Sequence, residues 1–235
     1  MTKTIQESLA SRNTQQSEQP IQYIDTIAAY NKWAKIYDTD GNFLQALDSI
    51  EIRSLLPGFL ALVRTNPTPN PSSPIKLVDL GCGTGRNTLQ LLSLAPETDI
   101  VGLDASSGML EVATRTIQQA LSPCPGDNHK LPTLELYDLL QTPPSPPECS
   151  HNADGVISTL VLEHIPLPQF FETVSAILKP SGYLLLTNMH SEMGEVSQAG
   201  FVDPESGIKI RPTSYCHRVR DVVEVAGREG FEVVQ

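Results

Sequence analysis

A chain of 235 residues with 40% hydrophobic content can bury one core of ordinary domain size, and no apolar run approaches the ~20 residues that a membrane-spanning helix requires. A formal charge of −11 with no dense basic stripe argues against a nucleic-acid partner gripped through its phosphates. Cys82, Cys124, Cys149 and Cys216 lack C-x-x-C spacing and the N-terminus lacks a basic-then-apolar leader, which predicts reduced thiols in a cytoplasmic protein, with the nucleus as the other compartment left open.

Residues 1 to about 20 carry Ser, Thr, Gln, Asn and Glu with few apolar side chains, too little burial to offset ordering entropy, and predict a disordered tail. Residues 21–63 place Ile27, Tyr30, Trp33, Ala34 and Tyr37, then Phe43, Leu44, Leu47 and Ile50, at helical intervals and predict a cap of two or three helices. The Pro-, Asn- and Ser-rich stretch Thr65–Pro74 predicts a loop. From Ile75 short apolar runs alternate with helix-period segments, the pattern of βαβ units and a parallel sheet. Strands are expected at about 76–80, 99–103, 133–137, 154–160 and 183–188, with helices at about 85–94, 107–121 and 168–179. Ser106 or Ser107 caps the second helix, Gln141–Ser150 with its four prolines reads as a loop, and Lys179-Pro180-Ser181-Gly182 stops the third helix. A helix at about 215–229 and a strand from Phe231 follow. The expected fold class is α/β: a Rossmann-like doubly wound sheet over 75–235 with helices on both faces and the helical cap at 21–63, forming one domain.

The run Val78-Asp79-Leu80-Gly81-Cys82-Gly83-Thr84-Gly85-Arg86 reads as strand, glycine loop and helix start, where backbone N–H groups can face a ligand. A dinucleotide loop needs G-x-G-x-x-G, and Arg86 stands where its third glycine belongs. The acid before the loop, Asp79, would repel a pyrophosphate but suits a ligand bearing an ammonium group. Here the chain resembles the class I S-adenosylmethionine-dependent methyltransferases, whose first motif has the form (E/D)-x-G-x-G-x-G, matched by Asp79, Gly81, Gly83 and Gly85. The resemblance implies S-adenosyl-L-methionine as methyl donor, S-adenosyl-L-homocysteine as product, and contacts from Asp79, Gly81, Gly83 and Thr84. Cys82 reads as a small side chain in the loop with no nucleophilic role.

Asp104, with Ala105 after it, ends the second core strand where an acid accepts hydrogen bonds from both ribose hydroxyls. By resemblance, Asp138 reaches the adenine amino group, the backbone N–H of Leu139 a ring nitrogen, and Met109 the adenine face. Thr159 and Leu160, in a segment resembling the family's v-L-x-H-i, would offer carbonyls to the methionine ammonium. Tyr30-Asn31-Lys32-Trp33-Ala34-Lys35-Ile36-Tyr37-Asp38 resembles the Y-D-x-W-A-x-x-Y-D cap of small-molecule methyltransferases, with Asn31 in place of the acid. Tyr30, Trp33 and Tyr37 would flank the sulfonium by cation–π attraction. Glu163-His164 falls short of the metal-holding E-x-x-E-H of some relatives because Leu160 replaces the first acid, so no metal is expected.

Met189–Ser214 is long enough to be a substrate-facing excursion. Methyl transfer needs a base only where the acceptor must lose a proton. His190, Tyr215 and His217 are candidates for that role, and His164 is read first as structural and second as a base. The expected function is methyl transfer to an O, N, S or C atom of a small metabolite. The style of the chain resembles fungal members of the family, some acting in secondary metabolism and others in regulatory complexes with transcription factors. A regulatory adenosylmethionine-binding protein with a protein partner is therefore the alternative reading, and a nicotinamide oxidoreductase is disfavoured by Arg86 and Asp79. In the family two antiparallel strands follow the last helix; only one is expected here, so a truncated chain lacking the seventh strand is anticipated.

Overall fold

A computed structural model describes residues 4–10, 20–66, 74–121 and 130–234; Cys124 and most of the expected 65–74 loop lie outside them. Five strands, β2 (Lys76–Leu80), β3 (Asp99–Asp104), β4 (Thr133–Leu136), β5 (Ala153–Thr159) and β6 (Leu178–Thr187), form a sheet of order β4-β3-β2-β5-β6. Every pairing in it is parallel, with Val78 opposite Val101 on one side and Val156 on the other. The small strand β1 (Ile21–Tyr23) precedes them in the chain and lies outside this sheet.

Alternation along the central strands sends side chains to two apolar layers. Leu77, Ile100 and Ile157 pack with α3 (Phe43–Thr65), α4 (Arg86–Leu94) and Ile117 of α5 (Ser107–Ala120). Val78, Val101 and Val156 pack with Phe170, Phe171, Val174 and Ile177 of α6 (Leu167–Ile177), against which α8 (Val219–Arg228) lies. This is the expected doubly wound sheet, and Ser106 caps α5 by accepting from the Met109 N–H at 3.1 Å.

Several elements depart from the expectation. Thr4–Ala10 is not free of structure: α1 (Ile5–Ala10) buries Ile5 to 1% exposure, and the Ile5 N–H donates to the Ser214 carbonyl at 2.9 Å. One apolar side chain with a pocket to fill outweighs the polar composition around it. The cap is not wholly helical, since β1 opens it and only α2 (Thr26–Trp33) is a true cap helix. The long helix α3 packs on β5 and β6 and belongs to the sheet layer. The 189–214 excursion is ordered by pairing: β7 (Phe201–Val202) runs antiparallel to β8 (Lys209–Arg211), and β8 pairs in parallel with β1, while α7 (Ser191–Gly194) precedes them.

The third core helix ends at Ile177 instead of 179: Leu178 is already extended and starts β6, Lys179 before its proline is disfavoured in a helix, and Ser181 adopts φ 64° within β6, where the pairing with β5 is irregular. The last helix begins at Val219 and not at Tyr215, whose N–H is held at 2.6 Å by the Glu163 carbonyl and which bridges to Thr4. Phe231–Val234 form no strand. Phe231 instead packs 5.5 Å from the Phe171 ring, and none of the described residues pairs with its backbone as a ladder requires. Among the described residues no helix is long and apolar enough to cross a membrane.

Candidate active site

Strand order reverses between β3 and β5 about β2, so the carboxyl ends of these strands surround a crevice. The loop after β2 turns at once: the Gly81 and Cys82 N–H groups donate to the Leu103 carbonyl at 2.7 and 2.9 Å. Gly81 has φ 77°, and a Cβ there would lie 2.1 Å from Val161 Cγ2, so both conformation and space demand glycine. Leu160, immediately after β5, carries φ 56°, a costly conformation for a leucine and one that concentrates at binding sites.

Asp104 is oriented by its own backbone surroundings. Its Oδ2 accepts from the Gly83 N–H and its Oδ1 from the Ser106 N–H, each at 2.8 Å, and further lone pairs remain. Burial raises its pKa, and the backbone donors of Ser106, Gly83 and Ala105 oppose that rise.

A cavity of about 100 Å3 lies over this loop, with Asp104, Ala105 and Met109 on one side and Thr159 and Leu160 on the other. Gly81, Gly83, Asp138, Leu139, Tyr30 and Tyr37 also line it. Asp138 also accepts from the Leu140 N–H at 2.9 Å, so it shapes its turn as well as the wall. The sequence reading missed Thr26, Ile27, Ser106, Leu140, Val161 and Ile165 in this wall. Asn31 was legible only as a departure, yet its amide oxygen accepts from the Ser106 hydroxyl at 2.8 Å and the Gly108 N–H at 2.9 Å, latching α2 onto α5.

Three expected cavity residues stand elsewhere. Asp79 is buried behind the loop, accepts from the Thr88 hydroxyl at 2.6 Å, and is pushed up to about 6 by burial. Thr84 is also buried, donating to Asp38 Oδ1 at 3.0 Å and so tying the loop to the cap. Trp33 faces a second cavity, of about 420 Å3, where its indole N–H donates to Asp40 at 2.6 Å and its ring stacks on Phe201 at 5.1 Å. Phe43, Glu163 and Lys209 also line this larger cavity, and Tyr30, Tyr37 and Leu160 line both.

Of the candidate bases only His164 reaches the smaller cavity. Its Nδ1 lies 2.7 Å from the Thr213 carbonyl and its Nε2 2.8 Å from the Tyr30 hydroxyl. The carbonyl requires a proton on Nδ1, so Nε2 accepts from Tyr30, and burial lowers the ring to about 4, leaving it neutral. Nδ1 is committed to Thr213 and Nε2 to Tyr30, which leaves neither for proton abstraction. His190 caps α7 by accepting from the Glu192 N–H at 3.3 Å, Tyr215 stacks on His217 at 5.6 Å, and His217 Nε2 lies 3.0 Å from the Ile165 carbonyl; none of the three lines either cavity. Burial holds the Cys82 thiol well above its ordinary range. Among the described residues no cluster of three or more His, Cys, Asp or Glu side chains is placed to hold a metal ion.

Residues 78–184 match a family model described as a methyltransferase domain. Over 225 residues the chain is 56% identical to an uncharacterized methyltransferase of Emericella nidulans, covering 91% of this chain and 78% of that protein. The chain belongs to the class I S-adenosylmethionine-dependent methyltransferases. This methyltransferase is also 26% identical to the demethylmenaquinone methyltransferase of Symbiobacterium thermophilum over 162 residues, 62% of this chain and 61% of that one. Its fold is shared with magnesium protoporphyrin IX methyltransferase from Synechocystis, solved with bound S-adenosylmethionine, at TM-score 0.55 and 21% identity over 88% of this chain and 82% of that one.

Proposed function

We propose that this methyltransferase holds S-adenosylmethionine in the smaller cavity and moves its methyl group to a small metabolite in the larger one. The observation that carries the reading is the common wall: Tyr30, Tyr37 and Leu160 line both cavities, so donor and acceptor would meet there. The residues fit the donor. Asp104, already aligned by two backbone N–H groups, offers its remaining lone pairs to the ribose hydroxyls, and Asp138 with the Leu139 N–H stands where the adenine edge would lie. Met109 covers the base, and the carbonyls of Thr159 and Leu160 suit the ammonium group.

When bound, S-adenosylmethionine supplies a methyl group on a positively charged sulfur, an electrophile that needs no further activation. Tyr30 and Tyr37 present aromatic faces that attract that charge and exclude water. His164 keeps Tyr30 in place, while burial holds both tyrosine hydroxyls protonated, their pKa values raised above the ordinary range. The chain's task is alignment of two reactants across a shared wall. No observation on the described residues favours the regulatory alternative. Incubation with methyl-labelled S-adenosylmethionine and fractionated small metabolites should place label in a small molecule. Binding of the donor product without transfer to any fraction would refute the enzymatic reading.

A further inference from the structure

We infer that Glu163 receives the acceptor's proton, and that the acceptor is an uncharged, ring-bearing molecule whose reacting atom is a phenol-class hydroxyl oxygen. The inference rests on the two-cavity reading above and deepens it.

Glu163 sits in the short helical turn after β5 and contributes to the larger cavity's wall. It is fixed at both backbone ends, its N–H donating to Asn188 Oδ1 at 3.2 Å and its carbonyl accepting from the Tyr215 N–H at 2.6 Å. Its side chain is almost wholly buried, yet Oε2 has no hydrogen-bond partner, and Oε1 lies 3.5 Å from a His164 nitrogen that already accepts from Tyr30. A buried carboxylate oxygen left without a donor is costly, and such atoms are rare enough in folded proteins that a catalytic role is one of the few explanations for them. An orphan acceptor calls for a donor, here an O–H or N–H group brought by the substrate. Trp33, Tyr37, Phe43 and Phe201 give the wall flat aromatic faces, which favour a ring, beside polar groups such as Asp40, Asn42 and Lys209.

Charge narrows the class. An anionic acceptor would be set against Glu163 and would need no base. A protonated amine carries no lone pair until it has lost its proton, whereas a neutral hydroxyl oxygen already has one. Transfer then balances simply: the acceptor oxygen bonds to the methyl carbon as the carbon–sulfur bond breaks and its electron pair stays on sulfur. The hydroxyl proton passes to Glu163. The products are a methyl ether, neutral S-adenosylhomocysteine and a protonated Glu163, which returns its proton to solvent between turnovers. The positive charge on sulfur and the negative charge on the carboxylate vanish together, a change that a water-poor cavity favours.

The groups facing Glu163 are Tyr30, Tyr37 and His164, with Asp40 and Lys209 on the same cavity wall. Burial raises Glu163 to about 7, while His164 at about 4 and the two tyrosines, raised above 10, do not change charge between pH 6 and 8. Across that interval the ionised fraction of Glu163 rises about tenfold. Asp79, pushed up to about 6, lies behind the glycine loop and is controlled for by the variant below.

The test is calorimetric titration of 4-methylphenol, and of its methyl ether, into the full chain with and without saturating S-adenosylhomocysteine at pH 6 and pH 8. The phenol should bind about tenfold more tightly at pH 8, and the ether should show no such dependence. Glu163→Gln should abolish the pH dependence while leaving S-adenosylhomocysteine affinity unchanged, which also shows that the variant folds. Absence of phenol binding, or the same pH dependence in Glu163→Gln, overturns the inference. Failure of S-adenosylhomocysteine to bind overturns the donor reading instead, and the titration without it still decides the role of Glu163.

Discussion

Arg86→Met removes the cation that joins the start of α4 to α3. The Arg86 guanidinium lies 2.6 Å from Asp48 Oδ2 and 2.6 Å from Ser49 Oγ, with longer contacts of 3.4 Å to the Gln45 carbonyl and Thr159 Oγ1. Methionine keeps the apolar stem of the side chain but supplies no charge. Asp48, 5% exposed, is then left as a buried carboxylate with the Thr187 hydroxyl at 2.5 Å as its remaining side-chain donor. Breaking one side of a buried pair costs about 3–5 kcal/mol, and for a chain of this size that lowers Tm by roughly 6–20 °C. Differential scanning calorimetry reads the change directly. The double variant Arg86→Met/Asp48→Leu removes both charges and should recover most of the loss. A single variant within about 2 °C of wild type, or a double variant no more stable than the single, would refute the reasoning.

Gly81→Ala should both destabilise the chain by about 1–3 kcal/mol and weaken S-adenosylhomocysteine binding, because the new methyl would meet Val161 Cγ2 at 2.1 Å; a variant with wild-type Tm and affinity contradicts this. Ile5→Ala should cost about 2–4 kcal/mol in a urea titration if α1 is docked through that side chain, and no measurable cost would mean that it is not. Glu163 is raised from an ordinary 4.5 to about 7, so the native state binds its proton more tightly than the unfolded one. The resulting penalty is absent below pH 4.5, grows through the interval and is complete above pH 7. Glu163→Gln should therefore gain stability relative to wild type by roughly 3 kcal/mol between pH 4.5 and pH 8, and a pH-independent difference in denaturation would oppose it.

The sheet was legible because strands buried on both faces leave unbroken apolar runs, as in β5, whose every residue is buried. Gly81, Gly83 and Asp104 were legible for a related reason: they stand at strand ends, where the fold itself puts ligands. Contacts across long sequence separations were not. Arg86 read only as a missing glycine, since its partner Asp48 lies 38 positions away on another element. Helical spacing grouped Tyr30, Trp33 and Tyr37, but α2 ends at Trp33, and Phe201 draws that indole into the larger cavity while the tyrosines stay at the common wall. In the sequence Glu163 reads only as half of an incomplete metal motif. What marks it is an unpartnered oxygen, a property of three-dimensional surroundings that no residue pattern encodes.

The most direct test of the donor site is calorimetric titration of S-adenosylmethionine and S-adenosylhomocysteine into wild type and Asp104→Ala. Wild type should bind both, and loss of the charge-assisted ribose contacts should weaken binding by about 1.5–3 kcal/mol, roughly ten- to 150-fold. A wild-type chain that binds neither ligand would contradict the account, and an unchanged affinity in Asp104→Ala would remove that residue from the site.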